Sequence, residues 1–178
     1  METIVLKFGG TSVGSTDRIS AVADLIQAAS KEAFPVVVVS AMSGETNRLI
    51  DLAQSFGSEP NKREFDALVS TGEKVSASLV AIALNHLGLK AKSLSAAQFG
   101  MKTTSHFSRA KILDMNNDIL FQTIEEGYIP IITGFQGITA DGDTTTMGRG
   151  GSDTTAVAIA ASIKAKRCDI YTDVDGIY

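Results

Sequence analysis

Three glycine-bearing loops, each placed directly after a short extended run of residues, limit the possible folds of this chain strongly. The loops span residues 7–12, 144–156 and 172–178. Because parallel strands end at one edge of a sheet, loops from distant segments come together there. Open α/β sheets bind their ligands at that edge. The sequence therefore predicts one site that is built from all three loops.

The middle loop has the composition of an anion site at the start of a helix. Arg149 lies among three glycines, and Ser152 and Asp153 precede an alanine-rich run with helical spacing. Serine or aspartate at such a point predicts a helix N-cap. The first N–H groups of a helix lack intrahelical acceptors and favour an anion. The same residues also fit a plain glycine-rich connection with a good cap, and the pattern leaves both interpretations open.

Helical patterns alternate with extended runs along the whole chain. Runs that are continuously apolar and β-branched, as in buried parallel strands, occupy residues 3–8, 36–39, 129–133 and 169–172. Apolar residues spaced three and four apart predict helices from Thr16, within 49–56, within 65–69, from Glu73 to Leu87, over 117–126 and after Ser152. Strands separated by helices predict an α/β fold with a mostly parallel sheet that is covered on both faces.

Three further patterns lie between these elements. The small residues Ser70-Thr71-Gly72 predict a break between two helices, and the helix that follows is apolar on every face, which predicts that it is largely buried. The turn sequence at 141–143 predicts a hairpin between 138–139 and 144–146. Residues 98–109 are polar and have no clear pattern, so they stay unassigned as loop or short strands.

Charge and composition argue against several classes of function. The net charge is −4, so no basic stripe is available to neutralise nucleic-acid phosphates. No continuous apolar run approaches the length of a membrane span, and the N-terminus lacks the pattern of a signal peptide. The lone Cys168 predicts a reduced thiol in a cytoplasmic protein. His86 and His106 lack the spacing of metal ligands.

The well-known phosphate-binding fingerprints do not fit these loops. Residues 9–14 have the spacing of a P-loop, but Ser15 stands where the lysine should follow. The run at 148–153 is one glycine short of the dinucleotide pattern, so an oxidoreductase domain that binds NAD(P) stays open as an alternative. The charged residues that remain in the loops indicate a site for a nucleotide and a second anion; they are Lys7, Arg149 and Asp153.

Five blocks of sequence, in order along the chain, resemble the signature blocks of aspartate kinase, in the amino-acid-kinase superfamily. They lie at residues 7–13, 40–47, 134–137, 145–156 and 171–178. The first reads Lys-Phe-Gly-Gly-Thr-Ser-Val and the last reads Tyr-Thr-Asp-Val-Asp-Gly-Ile-Tyr. Acetylglutamate, glutamate 5- and UMP kinases share the glycine loops more loosely. The length of the fourth block favours aspartate kinase over these relatives.

This resemblance implies ATP-dependent phosphorylation of the side-chain carboxylate of L-aspartate, which gives 4-phospho-L-aspartate. That reaction is the first step towards lysine, threonine, methionine and, in bacteria, diaminopimelate. The resemblance also implies a three-layer αβα sandwich with a mostly parallel central sheet. In that fold aspartate lies under the N-terminal half of the sheet and ATP, with Mg²⁺, lies over the C-terminal half.

The resemblance further implies a role for particular residues. The transferring phosphate and the nucleotide would be held by Lys7, Phe8, Gly9, Gly10, Thr172, Asp173 and Tyr178. L-Aspartate would be held by Thr46, Glu73 and Arg149, with Arg149 on a carboxylate and Glu73 near the amino group. Asp153 would position Lys7. No protein residue is implied as a metal ligand, because Mg²⁺ is held mainly by ATP oxygens and water.

The chemistry of this reaction agrees with the residue types in the loops. The nucleophile is a carboxylate with a reference pKa near 4, which is already ionised at neutral pH. No general base is therefore needed, and catalysis consists of positioning and of neutralising charge on the γ-phosphoryl group. Lys7, the amides of Gly9 and Gly10 and the helix N-terminus at Ser152 can supply that neutralisation. Arg149 offers a fork that matches a carboxylate.

The position of Tyr178, directly after a loop that looks functional, predicts that the chain is part of a longer protein. We expect residues 1–178 to form a single amino-acid-kinase catalytic domain that is incomplete at its C-terminal end and lacks the regulatory ACT domains of the family. We expect the full-length protein to form a homo-oligomer and to bind neither nucleic acid nor membrane. The alternatives are an inactive fragment that binds nucleotide or aspartate, and another carboxylate kinase of the superfamily.

Overall fold

The computed structural model of the protein describes residues 2–172, which form nine strands and seven helices. The strands are β1 (Thr3–Phe8), β2 (Phe34–Val39), β3 (Ala91–Leu94), β4 (Met101–Thr103), β5 (Ile112–Met115), β6 (Ile129–Thr133), β7 (Gln136–Ile138), β8 (Thr144–Thr146) and β9 (Cys168–Tyr171). The helices are α1 (Thr16–Ala29), α2 (Glu45–Gln54), α3 (Lys62–Val69), α4 (Thr71–His86), α5 (Ala96–Phe99), α6 (Asp118–Glu125) and α7 (Gly151–Ser162).

The central sheet has five strands in the order β3-β6-β2-β1-β9, and every neighbouring pair is parallel. Helical connections cross between these strands, as parallel pairing requires. The carboxyl ends of all five strands therefore lie at one edge, and the loops after β1, β2 and β6 meet there. The predicted α/β fold with a mostly parallel central sheet is confirmed.

Two hydrophobic cores cover the two faces of this sheet. In β1 the side chains of Ile4, Leu6 and Phe8 enter the core with α1 and α4, whereas Val5 enters the core with α5, α6 and α7. The valines of β2 divide in the same alternating way, because successive side chains of a strand point to opposite faces. The arrangement is three layers, helices on sheet on helices.

A second sheet, with the order β5-β4-β7-β8, borders the central one. Its strands β7 and β8 pair antiparallel around the turn at 139–143, which confirms the predicted hairpin. The unassigned stretch 98–109 contains the end of α5, strand β4 and the loop that follows it. Short strands of three residues carry too little periodicity for recognition in sequence.

The predicted break between α3 and α4 is confirmed, but it is only one residue long, because α3 ends at Val69 and α4 already begins at Thr71. Gly72 lies inside α4 and serves close packing instead. A Cβ at this position would lie 2.9 Å from the Cβ of Ala41, in the loop after β2. The glycine therefore lets the start of α4 approach the loop that borders the candidate site.

We expect the substitution Gly72→Ala to destabilise the protein by about 1–3 kcal/mol, because the added methyl group overpacks a tight contact. The gain in helix propensity, about 1 kcal/mol at most, opposes this effect only in part. Urea unfolding at equilibrium measures the difference. The control is Ser78→Ala on the exposed face of the same helix, where no loss is expected. Equal or higher stability of Gly72→Ala would contradict the packing role.

Burial of α4 is less complete than its sequence predicts. Ile82 and Val75 are among the exposed apolar side chains, so one face of the helix is open to solvent. The stretch Lys62–His86, which joins α3 and α4, is long and apolar enough to cross a membrane on length and composition. Half of its most apolar window is buried inside the fold, as in a core helix of a globular domain. The stretch contains no continuous apolar run of that length, because Glu73 and Lys74 lie within it.

Candidate active site

A cleft of about 660 Å³ lies at the carboxyl edge of the central sheet. It is bordered by the loops after β1 and β2, by the turn before α7, and by the facing ends of α3 and α4. Lys7 and Arg149 both line it, although they are far apart in sequence. Thr46, Glu73 and Asp153 line the same cleft. The structure thus brings together five residues that were selected from four separate segments of the sequence.

Lys7 forms an ion pair with Asp153 across the base of the cleft. The distance between Lys7 Nζ and Asp153 Oδ1 is 2.7 Å, and the lysine side chain is only 9 % exposed whereas that of Asp153 is 48 % exposed. A buried ammonium group needs such a partner, because an unpaired charge is very costly in the interior. Gly9 leaves the space above the ammonium group open, since a Cβ at Gly9 would lie 3.6 Å from Lys7 Nζ.

The predicted capping role of Ser152 and Asp153 is wrong. The N-cap of α7 is Gly150, and no side chain caps this helix N-terminus. Ser152 instead accepts a hydrogen bond from Ser40 at 2.8 Å, and Asp153 faces Lys7. The N-terminal turn of α7 lines the cleft, where its N–H groups and dipole favour a bound anion. Of the two readings left open by the sequence, the geometry favours the anion site.

Glu73, on the first turn of α4, is a buried carboxylate with one unused oxygen. Its Oε1 accepts a hydrogen bond from the backbone N–H of Ala41 at 3.2 Å, whereas its Oε2 has no partner among residues 2–172. Burial raises the pKa of Glu73 from 4.5 to about 7. A buried, unsatisfied acceptor is unfavourable, so a cationic donor bound in the cleft would relieve it.

Arg149 and Thr46 both line the cleft. Arg149 is exposed in the turn between β8 and α7 and, among the described residues, forms no ion pair. Thr46 is half-buried in the first turn of α2. Because both residues line the cleft, both side chains can contact a small molecule that is bound in it.

Two residues of the first glycine loop serve the fold rather than the cleft. The Phe8 side chain is fully buried and stacks on Tyr171, with ring centroids 4.7 Å apart. The N–H of Gly9 donates to the carbonyl oxygen of Tyr171 at 3.2 Å, so it is not available to a phosphate. Both contacts belong to the pairing between β1 and β9, and the predicted contacts of Phe8 and Gly9 with the nucleotide stay predictions. Gly10 does line the cleft.

The third glycine loop lies at the limit of the described residues. Thr172 directly follows β9 and is exposed, next to the end of β1. Asp173 and Tyr178 lie outside the described residues, so their predicted roles in nucleotide binding stay predictions.

The sequence analysis missed Asp66, which is fully buried on α3 and accepts hydrogen bonds from Ser108 and Thr146. Both partners line the cleft. The only signal in the sequence is spacing, since Asp66 precedes the buried Val69 and Ser70 by three and four positions on the same helix face. An aspartate in a helix otherwise predicts a solvent-exposed position.

Comparison with known proteins gives consistent matches over the whole chain. A sequence profile described as "Amino acid kinase family" matches residues 2–178. The chain is 50 % identical to the aspartokinase of Geobacillus stearothermophilus over 179 residues, which cover 100 % of the chain and 44 % of that protein. It is 49 % identical to an aspartokinase of Helicobacter pylori, covering 98 % of the chain and 44 % of that protein. The chain thus spans less than half the length of these relatives.

Solved structures show the same similarity. An aspartate kinase from Synechocystis has a TM-score of 0.82 and 45 % identity, covering 98 % of this chain and 29 % of that one. E. coli aspartokinase III in complex with aspartate and ADP has a TM-score of 0.90 and 29 % identity, covering 99 % of this chain and 50 % of that one.

Proposed function

The chain belongs to the amino acid kinase family, and from this membership we propose that it carries the catalytic site of an aspartate kinase. The reaction is transfer of the γ-phosphoryl group of ATP to the side-chain carboxylate of L-aspartate. One observation carries the proposal: a paired lysine, an unpartnered buried carboxylate and an arginine without an acidic partner among the described residues share one cleft. Similarity to aspartokinases, one of them solved with aspartate and ADP, supports it.

L-Aspartate offers one ammonium and two carboxylate groups, and the cleft offers a complement for these charges. Glu73 Oε2 accepts a hydrogen bond from the ammonium group and thereby gains the partner that it lacks. Arg149 binds a carboxylate with two parallel hydrogen bonds. Thr46 adds a neutral hydroxyl group that lines the same cleft. This arrangement leaves the second carboxylate to face Lys7.

Phosphoryl transfer requires no proton movement at the acceptor. An oxygen of the aspartate side chain forms a bond to the γ-phosphorus, the bond to the β,γ-bridging oxygen breaks, and ADP leaves with that electron pair. Two anions must approach each other, so Lys7 and the N-terminus of α7 neutralise the charge that spreads over the transferring group. Asp153 keeps the Lys7 ammonium group in place while its own half-exposed carboxylate stays near the phosphate position.

Mg²⁺ and the nucleotide are part of the same proposal. When bound, Mg²⁺ would neutralise part of the charge on the phosphates, and it takes oxygen ligands. Asp153 offers a half-exposed carboxylate beside the ammonium group of Lys7. The nucleotide would extend from Gly10 towards Thr172, with Asp173 and Tyr178 as further contacts. We place the enzyme in the cytoplasm, as a homo-oligomer, at the first step of lysine, threonine and methionine biosynthesis.

The proposal is tested with the purified full-length gene product in a coupled assay of ADP formation, with and without L-aspartate. We expect ADP formation that depends on both L-aspartate and Mg-ATP, and an acyl phosphate that hydroxylamine traps as the hydroxamate. Aspartate binding without hydroxamate would indicate a binding module instead. Thermal stabilisation by NAD(P) but not by Mg-ATP would favour the oxidoreductase alternative. Turnover with N-acetylglutamate or with glutamate, but not with L-aspartate, would assign the protein to another kinase of the family.

Arg149→Lys should raise KM for aspartate by about tenfold to a hundredfold, because a point charge replaces a fork that makes two charge-assisted hydrogen bonds. The value of kcat at saturating aspartate should change much less. Initial rates at varied aspartate measure both constants. Arg18→Lys, at an exposed position on α1, is the matched control and should leave KM unchanged. An unchanged KM in Arg149→Lys would remove Arg149 from aspartate binding.

A further inference from the structure

Asp66 is a fully buried carboxylate that the proposed reaction does not use. Its Oδ1 accepts hydrogen bonds from the hydroxyls of Ser108 and Thr146 at 3.0 and 2.9 Å. Its Oδ2 accepts from the backbone N–H groups of the same two residues at 2.8 and 2.7 Å. Each oxygen thus has two donors, which satisfies a buried carboxylate with no cation beside it in the described part of the chain.

The two partners of Asp66 belong to separate segments of the cleft wall. Ser108 lies in the loop between β4 and β5 and has a φ of 65°, a left-handed conformation that is uncommon for serine. Thr146 ends β8, and its carbonyl oxygen accepts a hydrogen bond from the N–H of Ala110 at 2.9 Å. Asp66 therefore fastens this loop and the end of β8 to α3, and it holds Ser108 in an otherwise unfavourable conformation.

These two segments support the turn that carries Arg149. A Cβ at Gly148 would lie 3.5 Å from the carbonyl oxygen of Ser108, so the loop passes close to the turn. Thr146 lies three residues before Arg149 in the chain. Since the Arg149 side chain is exposed and has no acidic partner among residues 2–172, its position depends on the backbone beneath it.

We propose that Asp66 is a positioning residue, which sets the Gly148–Arg149 turn at the distance that binds the amino-acid substrate. This inference rests on the proposed function, because it assumes that Arg149 binds a substrate carboxylate. It goes beyond that function because it makes the affinity for the substrate depend on the side chain of Asp66, which contacts no ligand. A purely structural role for Asp66 would instead affect the stability of the fold without a selective effect on one substrate.

The test compares Asp66→Ala, Asp66→Asn and wild type in the full-length gene product, with aspartate and ATP varied separately. In Asp66→Ala we expect KM for aspartate to rise by about tenfold or more, while kcat and KM for ATP stay within about threefold, because displacement of one binding group weakens one ligand. Asp66→Asn should restore KM to within about threefold of wild type. Its amide oxygen can accept from both N–H groups, and its NH₂ can donate to both hydroxyls.

A control variant separates positioning from loss of stability. Leu120→Ala removes a fully buried side chain from the core around α6, away from the cleft, and should lower the melting temperature without changing KM for aspartate. If Asp66→Ala does not fold, Asp66→Ser carries the same test, because it leaves room for a water molecule at the lost oxygen atoms.

The inference is overturned if Asp66→Ala has a lower melting temperature and a wild-type KM for aspartate, or if all kinetic constants change to the same extent. Wild type without aspartate-dependent ADP formation would refute the proposed function separately. Calorimetric titration with L-aspartate then decides on Asp66. Equal affinity of wild type and Asp66→Ala, or no binding by either protein, would refute its role.

Discussion

Lys7→Ala is expected to lower kcat by roughly a hundredfold to a thousandfold, the loss typical of removing one group that stabilises transition-state charge. Lys7 is a buried cation in the cleft, and its ammonium group lies 2.7 Å from Asp153. The two reacting groups are both anions, so loss of this charge raises the barrier more than it weakens ground-state binding. KM for aspartate should therefore change far less than kcat. Steady-state rates in the full-length gene product measure both constants.

The matched control for this variant is Lys92→Ala, an exposed lysine in β3 that does not line the cleft. It should keep wild-type kcat. Asp153→Asn provides a second comparison, because it keeps the shape of Asp153 but removes the charge that holds the Lys7 ammonium group. We expect a smaller decrease in kcat, by about tenfold, since half-exposed ion pairs contribute modestly. Normal turnover in Lys7→Ala would exclude Lys7 from the mechanism.

Glu73→Gln is expected to raise KM for aspartate by about a hundredfold, because a neutral amide replaces a charged acceptor of the substrate ammonium group. In wild type, kcat/KM for aspartate should increase with pH up to about 7 and level off above it, since the pKa of Glu73 is raised to about 7 by burial and only the ionised form attracts the ammonium group. Glu73→Gln should lose this pH dependence. A profile that is flat between pH 6 and 8 in wild type would contradict the assignment.

The same substitution should stabilise the protein without ligand. The pKa of Glu73 is higher in the folded state, at about 7, than its usual 4.5, so this group favours the folded state below pH 4.5 and loses that contribution as the pH rises through 7. At pH 8 the folded protein bears a buried charge, and Glu73→Gln removes it. We expect a gain of up to about 3 kcal/mol in the free energy of unfolding at pH 8 and little change at pH 5.

Urea unfolding at the two pH values measures this difference, with Glu125→Gln at an exposed position of α6 as the control. A gain in stability together with a loss of substrate affinity would show that the site keeps a destabilising group for binding. Lower stability of Glu73→Gln at pH 8 would indicate that Glu73 is a structural residue.

Much of the fold could be predicted from sequence because its signals are local. The continuous apolar run at 3–8 and the valines at 36–39 are typical of strands buried on both faces. The turn at 141–143 predicts a hairpin, and the structure has it. The break predicted at Ser70-Thr71-Gly72 is present at Ser70 alone, and Gly72 lies inside α4, because glycine has two uses, to end a helix and to permit close packing. Only the neighbour, Ala41, distinguishes between them.

The candidate site was predicted in part, because motifs identify residues but not the contacts that each residue makes. Lys7, Thr46, Glu73, Arg149 and Asp153 were selected from motifs, and all five line one cleft. The motifs could not separate side-chain from backbone use, and Phe8 and Gly9 pack and pair with Tyr171, so their contacts with the nucleotide stay predictions. The local pattern at Asp153 predicted a helix cap because aspartate favours that position, whereas its partner is Lys7, the residue that the resemblance to aspartate kinase implied.

Local order in the chain, where apolar residues alternate with glycine and with polar caps, was enough to predict the class of the fold and the edge of the sheet at which the candidate cleft lies. The chemical state of each polar group depends on contacts between residues that are far apart in sequence. The pKa of Glu73 is raised because its side chain is buried near Ala41. Asp66 is fully hydrogen-bonded because Ser108 and Thr146 both direct their donors towards it. Desolvation and hydrogen bonding act over a few ångströms in space, and the linear sequence does not contain those distances.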